Sequence, residues 1–267
     1  MTNNVSFPGL NLEFTINRVA FCIFSKEIYW YAIIILTGFL LSLLLVYFSA
    51  QKRGVNKDNV FDVAFYGLIS GIVCARIYYV IFDISCLDGN ILNIVKVWEG
   101  GLAIYGGIIG AVICTIIYCR YKKINTFKMF DVCAPGLLLG QAIGRWGNFV
   151  NCEVYGKEAH NFLRMSINSG TCVHPLFLYE SLWNILGLII VLIFRDRKHK
   201  DGQVFFFYTL WYGIGRLFLE GMRQPEYILY VIDGVLGISQ VVAFLCIVIS
   251  VCGLIILEKN TEKIDKR

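Results

Sequence analysis

Charged residues are scarce in this chain of 267 amino acids. Only 16% of the residues are charged and 57% are hydrophobic, a balance that is too apolar for an ordinary soluble domain. The ten cysteines contain no C-x-x-C pair, so their spacing does not indicate a redox or zinc site. Cys152 and Cys172 share one segment and can pair, although their spacing does not require it. The sequence therefore predicts a polytopic membrane protein with no metal and no other cofactor.

Long apolar runs dominate the chain. Seven of them have the roughly 18 to 23 residues needed to cross about 30 Å of hydrocarbon, and each must be helical because lipid-facing backbone groups need partners within their own segment. We therefore predict an all-α fold in a single integral membrane domain, 1–267, with small outer elements at 1–27 and 154–173. The predicted spans are about 28–48, 60–82, 101–119, 130–150, 176–194, 203–220 and 235–257.

Basic residues are distributed unevenly between the connecting segments. Of the 24 lysines and arginines, 15 lie in 49–59, 120–129, 195–202 and the C-terminal tail. The positive-inside rule assigns these segments to the cytoplasm, so the N-terminus is expected outside and the C-terminus inside. The net charge of +5 then reflects topology, and no nucleic-acid partner is expected.

Three arginines lie within spans that run outward, each in the later part of its span: Arg76, Arg145 and Arg216. An arginine in hydrocarbon is unfavourable unless it faces a polar partner, a cavity or a ligand, so such residues predict a functional site. All three are expected in the outer half of the membrane.

Polar residues recur at helical spacing beside two of these arginines. Arg145 shares a helix face with Asn148, and Glu153 follows near that face. Four residues form one stripe of the sixth span: Tyr212, Arg216, Glu220 and Arg223. Either each arginine is paired within its own helix, Arg216 with Glu220 and Arg145 with Glu153, or both bind one anion such as a phosphate. Their common depth favours a shared anion, and an outer-leaflet phospholipid headgroup lies at that depth.

Glycines are spaced for close helix contact. Small residues four apart, which permit such contact, occur in three spans at Gly67 and Gly71, at Gly106 and Gly110, and at Gly140 and Gly144. The block WEGGLAIYGG, 98–107, places glycines around Tyr105 at the outer start of a span. Free amide groups there can face an anion, or Tyr105 is an ordinary interfacial tyrosine.

Two other functional classes fit the sequence less well. A transporter of phosphorylated molecules also uses intramembrane arginines, but alternating access usually comes with internal repeats and polar groups at the midplane. The spans show no obvious repeat, and the arginines are displaced outward. A membrane scaffold gives no reason for polar stripes, so a site that binds a lipid headgroup is favoured.

Several blocks of the sequence resemble those of the bacterial prolipoprotein diacylglyceryl transferases, in the family's order and over about 28–257. They are ARIYYVIF (75–82), GGLAIYGG (100–107), FDVCAPGLLLGQAIGR (130–145), GRWGNFVNCEVYG (144–156), HPLFLYES (174–181) and YGIGRLFLEGMRQPE (212–226). The resemblance implies a seven-span enzyme of the bacterial plasma membrane with its active site toward the outer leaflet. It would transfer the diacylglyceryl group of phosphatidylglycerol to the lipobox cysteine of a prolipoprotein signal peptide and release glycerol 1-phosphate. Its partners would be these two substrates and membrane lipids.

Residue roles follow from the resemblance where the motifs match. Arg145 and Arg216 correspond to the arginines that act on the lipid phosphate and are predicted to be catalytic. The residues that match headgroup or cavity positions are Asn148, Glu153, Glu220, Tyr31 and Tyr212. We add Arg76 and His174 to the substrate-binding set.

The chain departs from its family at Tyr105, where many members have a histidine that is proposed to activate the incoming thiol. A tyrosine with the ordinary pKa of about 10 is a poorer base at neutral pH than a histidine at about 6.5. Tyr105 is nevertheless predicted to be catalytic, and three alternatives stay open. Tyr105 donates a hydrogen bond, arginines lower the pKa of its hydroxyl, or the base lies elsewhere, with His174 as a candidate.

Overall fold

Seven long helices make up most of the computed structural model, which describes residues 2–87, 90–195, 200–232 and 234–265. The helices are α1 (Trp30–Lys52), α2 (Lys57–Phe82), α3 (Ile104–Tyr121), α4 (Thr126–Asn151), α5 (Leu176–Arg195), α6 (Gln203–Gly221) and α7 (Ile238–Asp265). Each overlaps one predicted apolar segment, so the prediction of a mostly helical fold is confirmed. Some basic residues used for the orientation lie outside the described residues: Arg197, Lys198, Lys266 and Arg267.

Five of these helices are long and apolar enough to cross a membrane, namely α1, α2, α3, α5 and α7. Helices α4 and α6, which carry Arg145 and Arg216, are not among the five. The helices that bear the polar stripes are thus distinguished by composition from the other five.

Contacts between Cα atoms divide the chain into two compact units. The first unit comprises Met1–Leu45 with Cys133–Arg267, and the second comprises Val46–Val132.

In the second unit, α2 and α3 pack through small residues. A Cβ on Gly110 would lie 2.5 Å from the Cβ of Cys74, and one on Gly106 would lie 2.5 Å from the Cys74 carbonyl oxygen. A Cβ on Gly71 would lie 3.3 Å from the backbone of α3. The predicted packing role is therefore confirmed for these three glycines. It is wrong for Gly67, where an added Cβ would meet no described atom within 4 Å.

The first unit also contains short strands, which the all-α prediction omitted. Strands β1 (Thr2–Phe7), β2 (Leu12–Asn17) and β5 (Ser166–Ile167) form an antiparallel sheet in the order β2-β1-β5. Strands β3 (Val19–Ile23) and β4 (Lys26–Tyr29) form a hairpin, as do β6 (Tyr230–Ile232) and β7 (Leu236–Gly237). Alternation along β1 turns Val5 and Phe7 onto a small apolar core with Met165, Val173 and Phe177.

Helices α4, α5 and α6 share an apolar cluster in the first unit. Its buried members are Ala134, Leu138, Leu188, Val191, Val204 and Tyr208. This packing brings together the three helices that carry most of the predicted site.

Candidate functional site

Three arginines and two glutamates form one cluster in the first unit, here named the arginine cluster. Glu180 of α5 is at its centre, with Oε2 at 2.5 Å from Nε of Arg145 in α4. Its Oε1 lies 3.6 Å from Nη1 of Arg216 and 3.2 Å from Nη2 of Arg223. Glu220 completes the cluster, because its Oε2 lies 3.1 Å from Nη2 of Arg216 and 3.3 Å from Nε of Arg223.

The arginine cluster has more positive than negative charge. Three guanidinium groups, which stay protonated in proteins, face two carboxylates, so one positive charge is left over. Glu220 and Arg223 are buried, with 2% and 7% of their surfaces exposed. Burial, followed by the nearby Arg216, lowers the pKa of Arg223, whereas Glu180 and Glu220 raise it. Nη1 of Arg216 is buried and has no hydrogen-bond partner among the described residues, so a buried donor is available to an anion.

A shallow, open cleft lies beside the arginine cluster. Residues of α4, α5 and α6 line it: Arg145, Glu180, Trp183, Asn184, Tyr212, Gly215, Arg216 and Leu219. Arg145 and Arg216 thus face the same space, and Tyr212 lies on its wall. Asn184, a buried amide one turn beyond Glu180, was not singled out in the sequence.

The charge pairs differ from those that helical spacing suggested. Arg216 does pair with Glu220 one turn away, as one of the two readings expected. Arg145 pairs with Glu180 and not with Glu153, the partner that the same alternative proposed. Glu180, like Asn184, is therefore a residue that the sequence reasoning missed. The available signal was that it is the only acidic residue of the apolar helix α5, within the HPLFLYES block.

Glu153 instead folds back onto the end of α4. Its Oε1 accepts hydrogen bonds of 3.2 Å from the side-chain amides of Asn148 and Asn151. The residues on either side, Cys152 and Val154, have φ of 51° and 56°, and a positive φ is a genuine outlier for a β-branched residue such as Val154. These two left-handed residues turn the chain sharply after α4, which holds the carboxylate against the helix end.

Tyr31 of α1 also packs on α4. Its ring carbons Cδ2 and Cε2 lie 2.8 and 3.0 Å from the position of a Cβ on Gly147, so only glycine accommodates the ring there. Gly147 lies between Arg145 and Asn148 in the sequence. Tyr31 thus lies beside the turn of α4 that carries two of the predicted site residues.

The segment after α4 forms a backbone ladder with the residues after α6. Gly156 N–H donates to the carbonyl of His174 at 2.9 Å, and Lys157 N–H donates to that of Met222 at 2.8 Å. Gly156 and Arg223 form an antiparallel bridge. A Cβ on Gly156 would lie 2.6 Å from the Cβ of His174 and 2.9 Å from the Met222 oxygen. This close approach of three segments holds the backbone of Arg223 in place.

His174 contacts Asn161, in the segment between α4 and α5, and Tyr179 of α5. Its Nδ1 lies 3.4 Å from Nδ2 of Asn161 and 3.5 Å from the hydroxyl of Tyr179. Burial lowers the pKa of His174, so the imidazole is neutral at neutral pH. These contacts brace the segment, and a catalytic or substrate-binding role for His174 stays a prediction.

Arg76 and Tyr105 belong to the second unit. The buried guanidinium of Arg76 donates to four backbone carbonyls at 2.7 to 3.2 Å. The acceptors are Asn93, Ile94, Gly100 and Gly101. Arg76 thus orders the segment that leads into α3, of which Tyr105 is the second residue. Their roles toward substrate stay predictions.

Comparison with known proteins gives a consistent result over nearly the whole chain. The family profile described as prolipoprotein diacylglyceryl transferase matches residues 18–256. Three relatives are named phosphatidylglycerol--prolipoprotein diacylglyceryl transferase. That of Bacillus cytotoxicus is 42% identical over 264 residues, covering 94% of this chain and 96% of the relative. The Listeria innocua protein is 41% identical over 255 residues, covering 91% and 90%, and the Bacillus velezensis protein is 38% identical over 263 residues, covering 94% and 96%. The chain therefore belongs to the prolipoprotein diacylglyceryl transferase family.

Proposed function

We propose that this chain transfers the diacylglyceryl group of phosphatidylglycerol to the thiol of the lipobox cysteine of a prolipoprotein. The products are a thioether-linked lipoprotein and glycerol 1-phosphate, and the reaction is the first step of bacterial lipoprotein maturation. The names of the relatives support both substrates. The observation that carries the proposal is the arginine cluster, in which Arg145 and Arg216 face one cleft with a positive charge left over.

The chemistry explains why the leaving group needs cations. The thiolate sulfur attacks the saturated carbon of the diacylglyceryl group, and the electrons of the breaking carbon–oxygen bond move to the phosphate. The phosphate therefore passes from a diester with one negative charge toward a monoester with two. Guanidinium groups oriented on that phosphate stabilise the transition state more than the ground state, which is the requirement for catalysis. We assign this role to Arg145 and Arg216.

The carboxylates orient these arginines. Glu180 contacts Arg145 and Arg216, and Glu220 contacts Arg216 from the same helix. A guanidinium bound on one edge by a carboxylate keeps its other donors in a fixed plane, which favours bidentate binding of a phosphate. Glu180 and Glu220 are thus positioning residues in this proposal, although both carry the charge that a phosphate repels.

The remaining predicted residues receive supporting roles. Asn148 and Glu153 at the end of α4, with Tyr31 and Tyr212, are assigned to the glycerol headgroup. We assign Arg76 and His174 to the substrate-binding region on the outer side. Tyr105 interacts with the incoming thiol as hydrogen-bond donor or proton acceptor.

The topology is part of the same proposal. We infer one integral membrane domain in the bacterial plasma membrane, with seven spans, the N-terminus outside and the C-terminus in the cytoplasm. Helices α4 and α6 then span as the polar members of the bundle, because their charged residues face one another and the cleft. The active site opens toward the outer leaflet, where phosphatidylglycerol can reach it laterally.

The decisive experiment measures product. Purified protein is incubated with phosphatidylglycerol and a lipobox peptide, and both glycerol phosphate and the lipidated peptide are quantified. Arg145→Ala should abolish transfer, and Arg145→Lys should restore little of it, since an ammonium cannot bind a phosphate bidentately. Arg53→Ala is the matched control, because Arg53 also pairs with a buried carboxylate, Asp131, at 3.5 Å but belongs to the second unit.

Two results would contradict the proposal in different ways. No glycerol phosphate from the wild type would refute the reaction, and a lipid binder or flippase would then be the better explanation. Near wild-type transfer by Arg145→Ala would refute the site assignment while leaving the reaction in place.

A further inference from the structure

Two tryptophans on neighbouring helices hydrogen-bond to each other's backbone. Trp183 of α5 donates its Nε1–H to the carbonyl of Trp211 at 3.1 Å, and Trp211 of α6 donates its own to the carbonyl of Trp183 at 3.0 Å. The two indoles are stacked, with ring centroids 4.2 Å apart and an interplanar angle of 16°. The contact is therefore directional as well as apolar.

A glycine on each helix makes this arrangement possible. Trp183 packs on Gly215, where a Cβ would lie 2.5 Å from its Cδ1, and Trp211 packs on Gly187, where a Cβ would lie 2.5 Å from its Nε1. Each tryptophan precedes the glycine of its own helix by four residues, so both helices carry the same pattern, W-x-x-x-G. A shift of either helix by one residue, about 1.5 Å, would break both hydrogen bonds and drive an indole into a side chain.

The register that this pair sets also decides the geometry of the arginine cluster. Glu180 precedes Trp183 by three residues, and Arg216 directly follows Gly215. The Oε1 of Glu180 and Nη1 of Arg216 are 3.6 Å apart, so a slide of 1.5 Å would abolish or tighten this contact. Lipid is as apolar as the side chains, so the hydrophobic effect does not hold two membrane helices in register; close packing on small residues and interhelical hydrogen bonds do so instead.

We propose that Trp183 and Trp211 are positioning residues for the transfer reaction, because they fix the register of α5 and α6 at which Glu180 orients Arg145 and Arg216. This inference rests on the proposed function. Trp211 is the better residue to replace, because Trp183 lines the cleft and Trp211 does not.

The test separates binding from chemistry. Trp211→Phe keeps an aromatic ring and removes the indole donor, and replacement by naphthylalanine keeps the full ring area as well. For both variants we expect kcat to fall about tenfold or more, because a displacement of about 1 Å can cost up to a hundredfold in rate. KM for phosphatidylglycerol should stay within about threefold, because both guanidinium groups remain to bind the ground state. Ultraviolet resonance Raman of the indole N–H should report the loss of one hydrogen bond.

Gly253→Ala is the matched control. Gly253 of α7 packs under the ring of Phe206 in α6, where a Cβ would lie 2.5 Å from Cζ. Phe206 precedes Arg216 by ten residues, about 15 Å along the helix. This variant should lower the melting temperature and leave kcat unchanged.

Each alternative result has a distinct meaning. A naphthylalanine variant with unchanged kcat would show that the two tryptophans only pack α5 against α6. A Gly253→Ala protein whose kcat falls as much as that of the Trp211 variants would show the same. Wild-type protein that releases no glycerol phosphate would refute the proposed function itself, and the positioning role with it.

Discussion

Glu180 offers the sharpest test of how the arginine cluster works. Glu180→Gln keeps the shape of the side chain and removes its charge. Three guanidinium groups then face only Glu220, so the surplus positive charge rises from one to two. The variant thus leaves every arginine in place while removing the group that holds Arg145 and Arg216 together.

The magnitude follows from burial and from the number of contacts. Only 8% of the Glu180 side chain is exposed, and loss of one partner of a buried ion pair costs about 3–5 kcal/mol. The glutamine carbonyl still accepts one hydrogen bond, worth about 1 kcal/mol. The free energy of unfolding should therefore fall by about 3 kcal/mol. Turnover should fall about a hundredfold, because Arg145 loses its orientation toward the leaving phosphate. KM for phosphatidylglycerol should stay the same or decrease, because the larger positive charge attracts the anionic lipid in the ground state.

The assay combines thermal unfolding in detergent with initial rates of glycerol phosphate release. Asp62→Asn serves as the control, since Asp62 accepts a 2.6 Å hydrogen bond from Tyr118 in the second unit and is not part of the arginine cluster. The reasoning would be refuted by a Glu180→Gln protein whose kcat stays within about twofold of the wild type. A rise in KM with unchanged kcat would also contradict it, because Glu180 would then act on binding alone.

Three further predictions concern the segments around the site. Gly156→Ala should cost about 1–3 kcal/mol of stability and at least tenfold in turnover, because the added methyl meets His174 and Met222; wild-type melting and rate would contradict this. Arg76→Lys should speed amide hydrogen exchange in residues 90–101, because an ammonium cannot donate hydrogen bonds to all four carbonyls that Arg76 contacts. Unchanged exchange would show that these hydrogen bonds do not order the segment. Burial lowers the pKa of His174 below its ordinary 6.5, so as the pH falls the imidazole is protonated in the unfolded chain before it is protonated in the folded protein. The free energy of unfolding should therefore decrease below about pH 6.5. His174→Asn should flatten that part of the melting-temperature profile, and a profile as steep as that of the wild type would exclude His174 as its source.

Local rules predicted the helices and the stripe of α6. An apolar run of sufficient length has few alternatives to a helix in a membrane, and residues three or four apart on one helix meet whatever surrounds it. Helical spacing therefore predicted the contacts of Glu220 with Arg216 and Arg223. Helix α3 begins at Ile104, and Gly100 and Gly101, which precede it, have positive φ and lie outside the helix.

The contacts of Glu180 could not be predicted from residue spacing within one helix. It contacts arginines 35, 36 and 43 residues away, on helices whose register depends on tertiary packing. The partners of Arg76 were unpredictable for another reason, because backbone carbonyls are acceptors whatever the residue type. The pairing of β1 with β5, which joins Val5 to Ile167, could not be predicted either, because it depends on how the intervening helices bring the two segments together.

Tyr105 is predicted to be catalytic, and its role has a direct kinetic test. Rates of transfer are measured against pH for the wild type, Tyr105→Phe and Tyr105→His. We expect Tyr105→Phe to lose most activity, because phenylalanine neither donates nor accepts a hydrogen bond. Tyr105→His introduces an imidazole, a side chain that ordinarily titrates near pH 6.5, whereas a phenol ordinarily titrates near pH 10. If the side chain at this position accepts the thiol proton, the histidine variant should therefore reach its full rate at a lower pH than the wild type.

Equal pH profiles with a reduced rate in Tyr105→Phe would make Tyr105 a hydrogen-bond donor only. A Tyr105→Phe protein with unchanged rate and profile would remove Tyr105 from the reaction and make His174 the next residue to replace.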